Sequence, residues 1–204
     1  MTAKRAATTR AKSSPNGFHL SSVAALQNAS VPFLIGGAFV VEVYAGVSRR
    51  TKDFDLYIRP RHVDAALDAL ARAGYETEVT SPHWLAKAKR GRDYVDLIFR
   101  AGNGLCEVDD SWFERAHDHE LLGLRVKLAA PEETIWMKAY IMERERFDGA
   151  DVAHILSSAQ RNLIRNIWSS ASVLIGVCCS ATWSCSAIFT RASKDEFPWP
   201  SWTT

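Results

Sequence analysis

The chain has 204 residues, of which 47% are hydrophobic and 24% charged, with 25 basic residues against 23 acidic ones. This length suffices for one domain with a substantial core. The near-balance of charge gives no overall nucleic-acid-binding signature, and the N-terminal stretch lacks the continuous apolar segment of a secretory signal.

The first 15 residues form a basic stretch with little apolar material that could pack. It contains Lys4, Arg5, Arg10 and Lys12 and no acidic residue. This composition favours a disordered leader, and an arm that touches nucleic acid is the alternative.

The next predicted elements are a helix, a short strand and a second helix. Apolar side chains recur at helical spacing over residues 18–29, which predicts the first helix. Residues 33–35 are predicted to form a buried strand and residues 38–44 the second helix. Gly36 and Gly37 between them allow a tight turn and a close approach of a ligand to the main chain. The first amides of the second helix would then face an anion, with an ordinary strand–helix turn as the alternative.

Two aspartates lie one residue apart in the segment that follows. Residues 53–58 alternate strictly, which predicts a strand with Asp53, Asp55 and Tyr57 on one face. Two carboxylates about 7 Å apart on one strand face repel each other unless a cation lies between them. Hard divalent ions such as Mg²⁺ bind carboxylate oxygens, so this pair is a candidate metal site.

Three basic residues, Arg49, Arg50 and Lys52, come just before the acidic pair. Strong bases beside a triphosphate would orient it and neutralise charge in the transition state. Solvated loop residues are the equally weighted alternative.

The middle of the chain predicts a helix, a strand and a basic stretch. Residues 61–73 carry Val63, Leu67 and Leu70 on one helical face, and residues 75–80 are predicted to form a strand. The basic stretch over residues 82–89 extends into a cluster of four basic residues, for which a solvated face is preferred to a polynucleotide contact: Lys87, Lys89, Arg90 and Arg92.

Asp96 lies in an otherwise apolar strand over residues 94–99, opposite to Val95, Leu97 and Phe99. A carboxylate in such a strand is costly to bury without a partner. If this strand neighbours the strand of Asp53 and Asp55, the three carboxylates form a cluster suited to two metal ions about 3.5–4 Å apart.

The ordered set of Gly36-Gly37, the segment TKDFDL over residues 51–56 and Asp96 on a later strand resembles the nucleotidyltransferase superfamily of the DNA polymerase β type. Within it, the chain resembles the small bacterial branch related to abortive-infection toxins and antibiotic nucleotidyltransferases. The resemblance covers residues 18–157. The aspartate pair alone is a weak signal, whereas the ordered set is much more specific.

The resemblance implies an α/β (α+β) fold, with a nucleotidyltransferase-type mixed sheet, flanking helices and a C-terminal helical part. It implies that Asp53, Asp55 and Asp96 are catalytic and bind two Mg²⁺ ions, with Mn²⁺ as the alternative metal. The residues that it implies for binding the nucleoside triphosphate (NTP) are Gly36, Gly37, Arg49, Lys52 and Lys138.

The stretch that contains Asp109-Asp110 and His117-Asp118-His119 is interpreted as a loop. Its His-x-His spacing suggests a metal site, but further ligands at suitable spacing are missing, and metal binding is not favoured there.

A strand over residues 124–128 and a helix over residues 132–145 follow. Lys138 lies on a mostly apolar face of this helix, where a lysine usually extends its ammonium to solvent. Asp148 and Asp151 precede or begin another helix, and capping is preferred to an interaction with Lys138 or Arg146.

The sequence changes character after residue 165. From Trp168 onward neither helical nor strand periodicity is sustained, and Ser169 to Thr190 is uncharged but interrupted by serines, unlike a membrane helix. We interpret roughly the last 37 residues as the translation of a shifted reading frame. The predicted organisation is a leader (1–15), a catalytic core (16–130), C-terminal helices (131–165) and an atypical tail (166–204).

We therefore expect a cytoplasmic bacterial enzyme that transfers a nucleoside monophosphate from an NTP, such as ATP, to an acceptor hydroxyl. RNA 3′ ends, a protein side chain and a small molecule such as an antibiotic remain open as acceptors. An antitoxin-like or self-association partner is expected, and no membrane. The alternative is a non-catalytic module that binds nucleotide, RNA or a partner protein, or a degenerate remnant of such an enzyme.

Overall fold

The computed structural model of the protein describes residues 15–47, 53–141 and 148–158, and the side chains from Gly17 onward. Its strands are β1 (Leu34–Ile35), β2 (Asp53–Tyr57), β3 (Glu76–Ser81), β4 (Leu85–Arg90), β5 (Asp93–Ile98), β6 (His117–Leu121) and β7 (Leu124–Leu128). Its helices are α1 (Pro15–Asn28), α2 (Gly37–Ala45), α3 (Val63–Arg72, after a 3₁₀ turn at Pro60–His62), α4 (Asp110–Arg115), α5 (Pro131–Ile141) and α6 (Gly149–Ser158).

The strands form one mixed sheet in the order β3-β4-β5-β2-β1-β7-β6. Strands β2 and β5 run parallel to each other, as do β1 and β7, while the other neighbouring pairs are antiparallel. The expected mixed α/β fold is confirmed.

One face of the sheet carries the main hydrophobic core, beneath α1 and α3. Each central strand contributes every second residue to it, because successive side chains of a strand point to opposite faces. The helices contribute residues at helical spacing, although Leu20 and Leu67 are only partly buried. Core members from both layers include Val23, Leu26, Phe54, Leu56, Ala66, Leu70, Val95 and Leu97.

The other face of the sheet packs against α4 near its centre. Tyr57 contacts Trp112 of α4 edge to face, with ring centroids 5.4 Å apart. Next to this contact, α2, α5 and α6 meet around Val41, Ile135 and Ile155. The polar residues of β2 and β5 therefore lie on the sheet face opposite the main core.

Two stretches differ from the sequence-based expectation. The basic stretch over residues 82–89 contains β4, in which buried Ala86 and Ala88 alternate with Lys87 and Lys89. Alanine has a low strand propensity, which hides this alternation. The interpretation of residues 109–119 as a loop is also wrong.

Those residues contain helix α4 and strand β6, which lies at the edge of the sheet. Among the residues that the structure describes, β6 pairs with one strand, β7, and all of its side chains are exposed or half-buried. An edge strand of this kind lacks the apolar alternation that identifies a strand in a sequence.

Several expectations concern residues outside the described ranges: the leader up to residue 14, Arg49, Arg50 and Lys52, the end of the helix expected to reach residue 145, and the tail from residue 166. Of the described helices, none has the length and apolar character needed to cross a membrane.

Candidate active site

The three aspartates lie on two neighbouring strands of the sheet. Asp53 and Asp55 alternate with buried Phe54 and Leu56 on β2, as the sequence predicts. The parallel pairing of β2 with β5 places Asp55 opposite Asp96 and Asp53 opposite Tyr94. Residues that oppose each other on paired strands share a sheet face, so the structure places all three aspartates on one face.

The glycine pair packs directly against this strand. The amide of Gly36 donates a hydrogen bond to the carbonyl oxygen of Asp55, with a nitrogen–oxygen distance of 2.9 Å. Gly37 has a φ of +60°, and a Cβ atom on it would lie 1.7 Å from Oδ2 of Asp55. A Cβ atom on Gly36 would lie 2.4 Å from the ring of Tyr57. Only glycine fits both positions, which explains the Gly-Gly pair.

Tyr57 continues the polar face of β2 into the protein interior and is almost fully buried. Burial raises the pKa of its hydroxyl, the negative charge of Asp55 raises it further, and a hydrogen bond from the backbone of Gly37 partly offsets both effects. The hydroxyl therefore remains protonated and links the glycine turn to the acidic strand.

Asp96 is paired with a lysine from the adjacent strand. Lys87 of β4 lies opposite Asp96, and its Nζ atom is 2.9 Å from Oδ1 of that carboxylate. Burial raises the pKa of Asp96, the ion pair with Lys87 opposes this shift, and the charge of Asp53 adds to it. The like charge of Asp53 thus disfavours ionisation of Asp96, as expected for carboxylates on one face of neighbouring strands.

Tyr94 provides the corresponding contact for Asp53. A hydrogen bond with the Asp53 carboxylate is the main cause that raises the pKa of the Tyr94 hydroxyl to about 12. Since an ionised carboxylate can only accept, the Tyr94 hydroxyl donates a hydrogen bond to Asp53. Neither Tyr94 nor Lys87 is recognisable as a site residue from the sequence, because their roles depend on the pairing of β4, β5 and β2.

The donor chemistry of this face suits a hard divalent cation, because it consists of carboxylate oxygens. In the described part of the chain, no three histidine, cysteine, aspartate or glutamate side chains are grouped so as to hold a metal ion. Asp96 instead contacts Lys87. The three-carboxylate ligand set thus stays a prediction, for which the shared face and the register of Asp55 with Asp96 are the structural support.

Comparison with known families decides the classification. The profile of the family described as "Nucleotidyl transferase of unknown function (DUF2204)" matches residues 19–165. The chain belongs to this nucleotidyl transferase family.

Solved structures with the same fold include two antibiotic-modifying enzymes. The crystal structure of ANT(2″)-Ia in complex with adenylyl-2″-tobramycin has a TM-score of 0.52 and 16% identity, covering 87% of this chain and 98% of that chain. The lincomycin-bound structure of the lincosamide antibiotic adenylyltransferase LnuA has a TM-score of 0.50 and 14% identity, covering 72% of this chain and 98% of that chain. At these identities the similarity shows the fold. A search of curated proteins gives no match.

Lys138 is buried between α5 and α6. Its Nζ atom lies 2.8 Å from Oδ2 of Asp148 and 2.7 Å from Oδ2 of Asp151. All three side chains are almost fully buried, so the lysine does not extend to solvent. Of the two roles considered for Asp148 and Asp151, the structure shows the interaction with Lys138. A buried group of charges is tolerated only when the charges are paired in this way.

The histidines of β6 contact aromatic residues of α2. Nδ1 of His117 lies 3.1 Å from the hydroxyl of Tyr44, and the ring of His119 packs edge to face against Phe39. These contacts attach the edge strand to α2. They give no support to metal binding at the His-x-His sequence.

The basic residues of β4 form separate interactions. Lys87 pairs with Asp96, while Lys89 pairs with Glu78 of β3, with Nζ 2.6 Å from Oε1. The guanidinium of Arg90 lies 4.3 Å from the ring centroid of Tyr75. Lys87 therefore belongs to the acidic site and not to a solvated basic face.

Proposed function

We propose that this protein transfers a nucleoside monophosphate from an NTP to an acceptor hydroxyl and releases pyrophosphate. The observation that supports this proposal is the register of Asp55 with Asp96 on adjacent parallel strands, with Gly37 packed against Asp55. It occurs in a chain that belongs to a nucleotidyl transferase family. This arrangement puts acidic residues and a tight glycine turn at one place on the sheet.

The acidic residues would hold the metal and the acceptor proton. Asp53 and Asp55 would bind the divalent cations, Mg²⁺ or Mn²⁺, and Asp96 would complete the set. Bound cations neutralise charge on the transferring phosphate and polarise its oxygens. Tyr94 and Lys87 hold Asp53 and Asp96 in place, so the carboxylates do not have to be ordered when substrate arrives.

The transfer itself is a displacement at phosphorus. The acceptor oxygen forms a bond to the α-phosphorus of the NTP, and the bond from that phosphorus to the β-bridging oxygen breaks. Asp96 favours removal of the acceptor proton, and the bond electrons leave with pyrophosphate. Such reactions need positioning and charge neutralisation more than covalent participation by the protein.

The glycine turn and the basic residues would bind the triphosphate. Gly36 and Gly37 would seat the phosphates at the start of α2, where the backbone can approach a ligand closely. Arg49, Lys52 and Lys138 are the proposed cationic contacts. Lys138 would have to share its ammonium between the nucleotide and the carboxylates of Asp148 and Asp151, which makes it the role most in need of a direct test.

The acceptor belongs to one of three classes: an RNA 3′ end, a protein side chain or a small molecule. ANT(2″)-Ia bound to an adenylyl-tobramycin and LnuA bound to lincomycin show that this fold accommodates small antibiotics. A small-molecule hydroxyl is therefore the first acceptor class to test for a protein that we propose to be cytoplasmic.

The test is to incubate the purified full-length protein with Mg²⁺ and each labelled NTP in turn. Total RNA, bacterial lysate and a panel of aminoglycosides and lincosamides serve as acceptors. We expect label in one acceptor class and matching release of pyrophosphate, both lost in Asp55→Asn. A wild-type protein that is folded yet transfers label to no acceptor, with any NTP, would favour the non-catalytic binding module.

A further inference from the structure

A row of four charged residues crosses four adjacent strands on the face of the sheet that carries the aspartates, with one lysine among three acidic residues. Glu78 of β3 lies opposite Lys87 of β4, Lys87 lies opposite Asp96 of β5, and Asp96 lies opposite Asp55 of β2. Among the described residues, Lys87 is thus a cation next to the opposed carboxylates of the site. A lysine in this position affects the affinity of the aspartates for a divalent ion.

Lys87 is held from two sides. Its Nζ atom lies 2.9 Å from Oδ1 of Asp96 and 4.7 Å from the ring centroid of Tyr94. The side chain is 22% exposed and that of Asp96 is 15% exposed, so water screens this ion pair only partly. Because Tyr94 in turn donates to Asp53, Lys87 and Tyr94 together connect two carboxylates of the site.

We propose that Lys87 is a positioning residue of the nucleotidyl transferase site, where it holds Asp96 beside Asp55 and lowers the affinity of the site for divalent cations. This inference rests on the proposed function, because it concerns the metal that the aspartates are proposed to bind. With one oxygen of Asp96 turned to Lys87, the carboxylate is fixed while its second oxygen can serve a bound ion or an acceptor proton.

The direction of the effect follows from charge. Three carboxylates on one sheet face repel one another, and the ammonium of Lys87 reduces this repulsion while the metal is absent. The same ammonium repels an arriving divalent cation. Removal of its charge should therefore destabilise the metal-free protein and at the same time tighten metal binding. If Lys87 served only to stabilise the sheet, removal of its charge would lower the stability of the metal-free protein and leave the metal affinity unaltered.

The chain offers a matched control on the same strand. Lys89 lies two residues from Lys87 on β4, on the same sheet face, and also forms an ion pair. Its partner is Glu78, so the pair lies on the side of β4 away from the aspartates. Lys89→Gln removes the same charge and a similar ion pair, but one that joins β4 to β3 and whose lysine is 43% exposed, against 22% for Lys87.

The experiment is a Mg²⁺ titration of the full-length protein at low ionic strength. Calorimetry measures the affinity, and the melting temperature measures the stability. Wild type is compared with Lys87→Gln, Lys87→Arg and Lys89→Gln, and Asp55→Asn shows whether the ion binds at the aspartates. We expect the Mg²⁺ dissociation constant of Lys87→Gln to fall roughly tenfold, the order expected for losing repulsion between a unit charge and a nearby divalent ion.

The other variants separate charge from packing. Lys87→Arg keeps the charge and should retain an affinity near that of wild type. Lys89→Gln should change the affinity less than about twofold, because Lys89 is paired with Glu78 of β3 and is more exposed to screening. Equal Mg²⁺ affinities for wild type and Lys87→Gln would overturn the inference and leave the proposed function intact. A wild type that binds no Mg²⁺ or Mn²⁺ would overturn the metal chemistry of the proposed function, and this inference with it.

Discussion

Asp55 and Asp96 oppose each other on two parallel strands, although α3, β3 and β4 lie between them in the chain. The chain leaves β2, forms α3 and the β3–β4 hairpin, and returns to pair β5 alongside β2. Two acidic residues on adjacent parallel strands repel each other in the absence of a cation. Since the fold keeps them together, they are better explained by function than by stability.

Replacing Asp55 by asparagine should abolish nucleotidyl transfer while leaving the fold intact or slightly more stable. The substitution removes one of three neighbouring negative charges and so relieves repulsion in the metal-free protein. Activity and melting temperature without metal, measured on the same preparation, test both parts. Asp68→Asn, on the exposed side of α3, is the matched control and should change neither property. A large fall in the melting temperature of Asp55→Asn would instead mark the aspartates as structural.

The strand that carries Asp53 and Asp55 could be predicted from the sequence, because the pattern that identifies it lies within a few consecutive residues. Phe54 and Leu56 alternate with Asp53 and Asp55, and this period of two fixes which side chains share a face. The fold and the family could be inferred for the same reason, since the glycine pair, the aspartates and the apolar strand around Asp96 follow one another in a specific order.

The contacts that support the site could not be predicted, because they join residues that are distant in sequence. Lys87 is related to Asp96 only through the pairing of β4 with β5, and the alanines of β4 hide that strand. Lys138 likewise meets Asp148 and Asp151 only after α6 packs on α5. The sequence shows which side chains in these two stretches are charged, but it does not show which residue each of them contacts.

Replacing Gly37 by alanine should displace Asp55 and abolish activity. A Cβ atom there would lie 1.7 Å from Oδ2 and 2.6 Å from Cγ of Asp55, so the carboxyl group would have to move. The φ of +60° adds a conformational cost of about 1–2 kcal/mol for a residue with a side chain. Activity and urea unfolding measure the two effects.

Gly91 provides the control for this substitution. Its φ is +70°, and a Cβ atom on it would have nothing within 4 Å. Gly91→Ala should therefore show the conformational cost of about 1–2 kcal/mol alone, with activity retained. If Gly37→Ala loses no more stability than Gly91→Ala and remains active, the close packing of Gly37 on Asp55 has no role in the site.

Replacing Lys138 by methionine should destabilise the protein by about 3–5 kcal/mol, because it leaves two buried carboxylates without the ammonium that pairs with both. Lys127→Met is the control: Lys127 lies 3.9 Å from Asp118 on the surface, so its loss should cost less than about 1 kcal/mol. Chemical unfolding gives both values. The KM for NTP is measured under conditions in which Lys138→Met is folded. If it equals the wild-type value, Lys138 serves the packing of the helices and does not bind the nucleotide.

Replacing Glu133 by glutamine should alter the pH dependence of stability. Glu133 is 1% exposed, and burial raises the pKa of its carboxyl above the ordinary value of 4.5, although the nearby Arg115 opposes the shift. A raised pKa means that the native state binds more protons than the unfolded state between the two pKa values. This contribution to stability is present below pH 4.5 and is lost as the pH rises through the native-state pKa.

The Glu133→Gln variant lacks this titration. Its free energy of unfolding relative to wild type should therefore increase as the pH rises from about 4 towards neutrality, then level off. Urea unfolding at several pH values measures the difference, in which the titration of all other groups cancels. A difference that decreases over this range would show that the ion pair with Arg115, whose Nε lies 2.6 Å from Glu133 Oε1, dominates over burial.

Truncation after residue 164 should leave the catalytic apparatus complete. The described site residues all lie at or before Asp151, and the family match ends at residue 165, before the change in composition. We propose that the tail is translated in a shifted frame; it would then not have been selected to match the core, and its local pattern should conflict with the fold. We therefore expect a melting temperature within a few degrees of the full chain and less aggregation by gel filtration. If the truncated protein unfolds while the full chain is monomeric and cooperative, the tail is a genuine structural element.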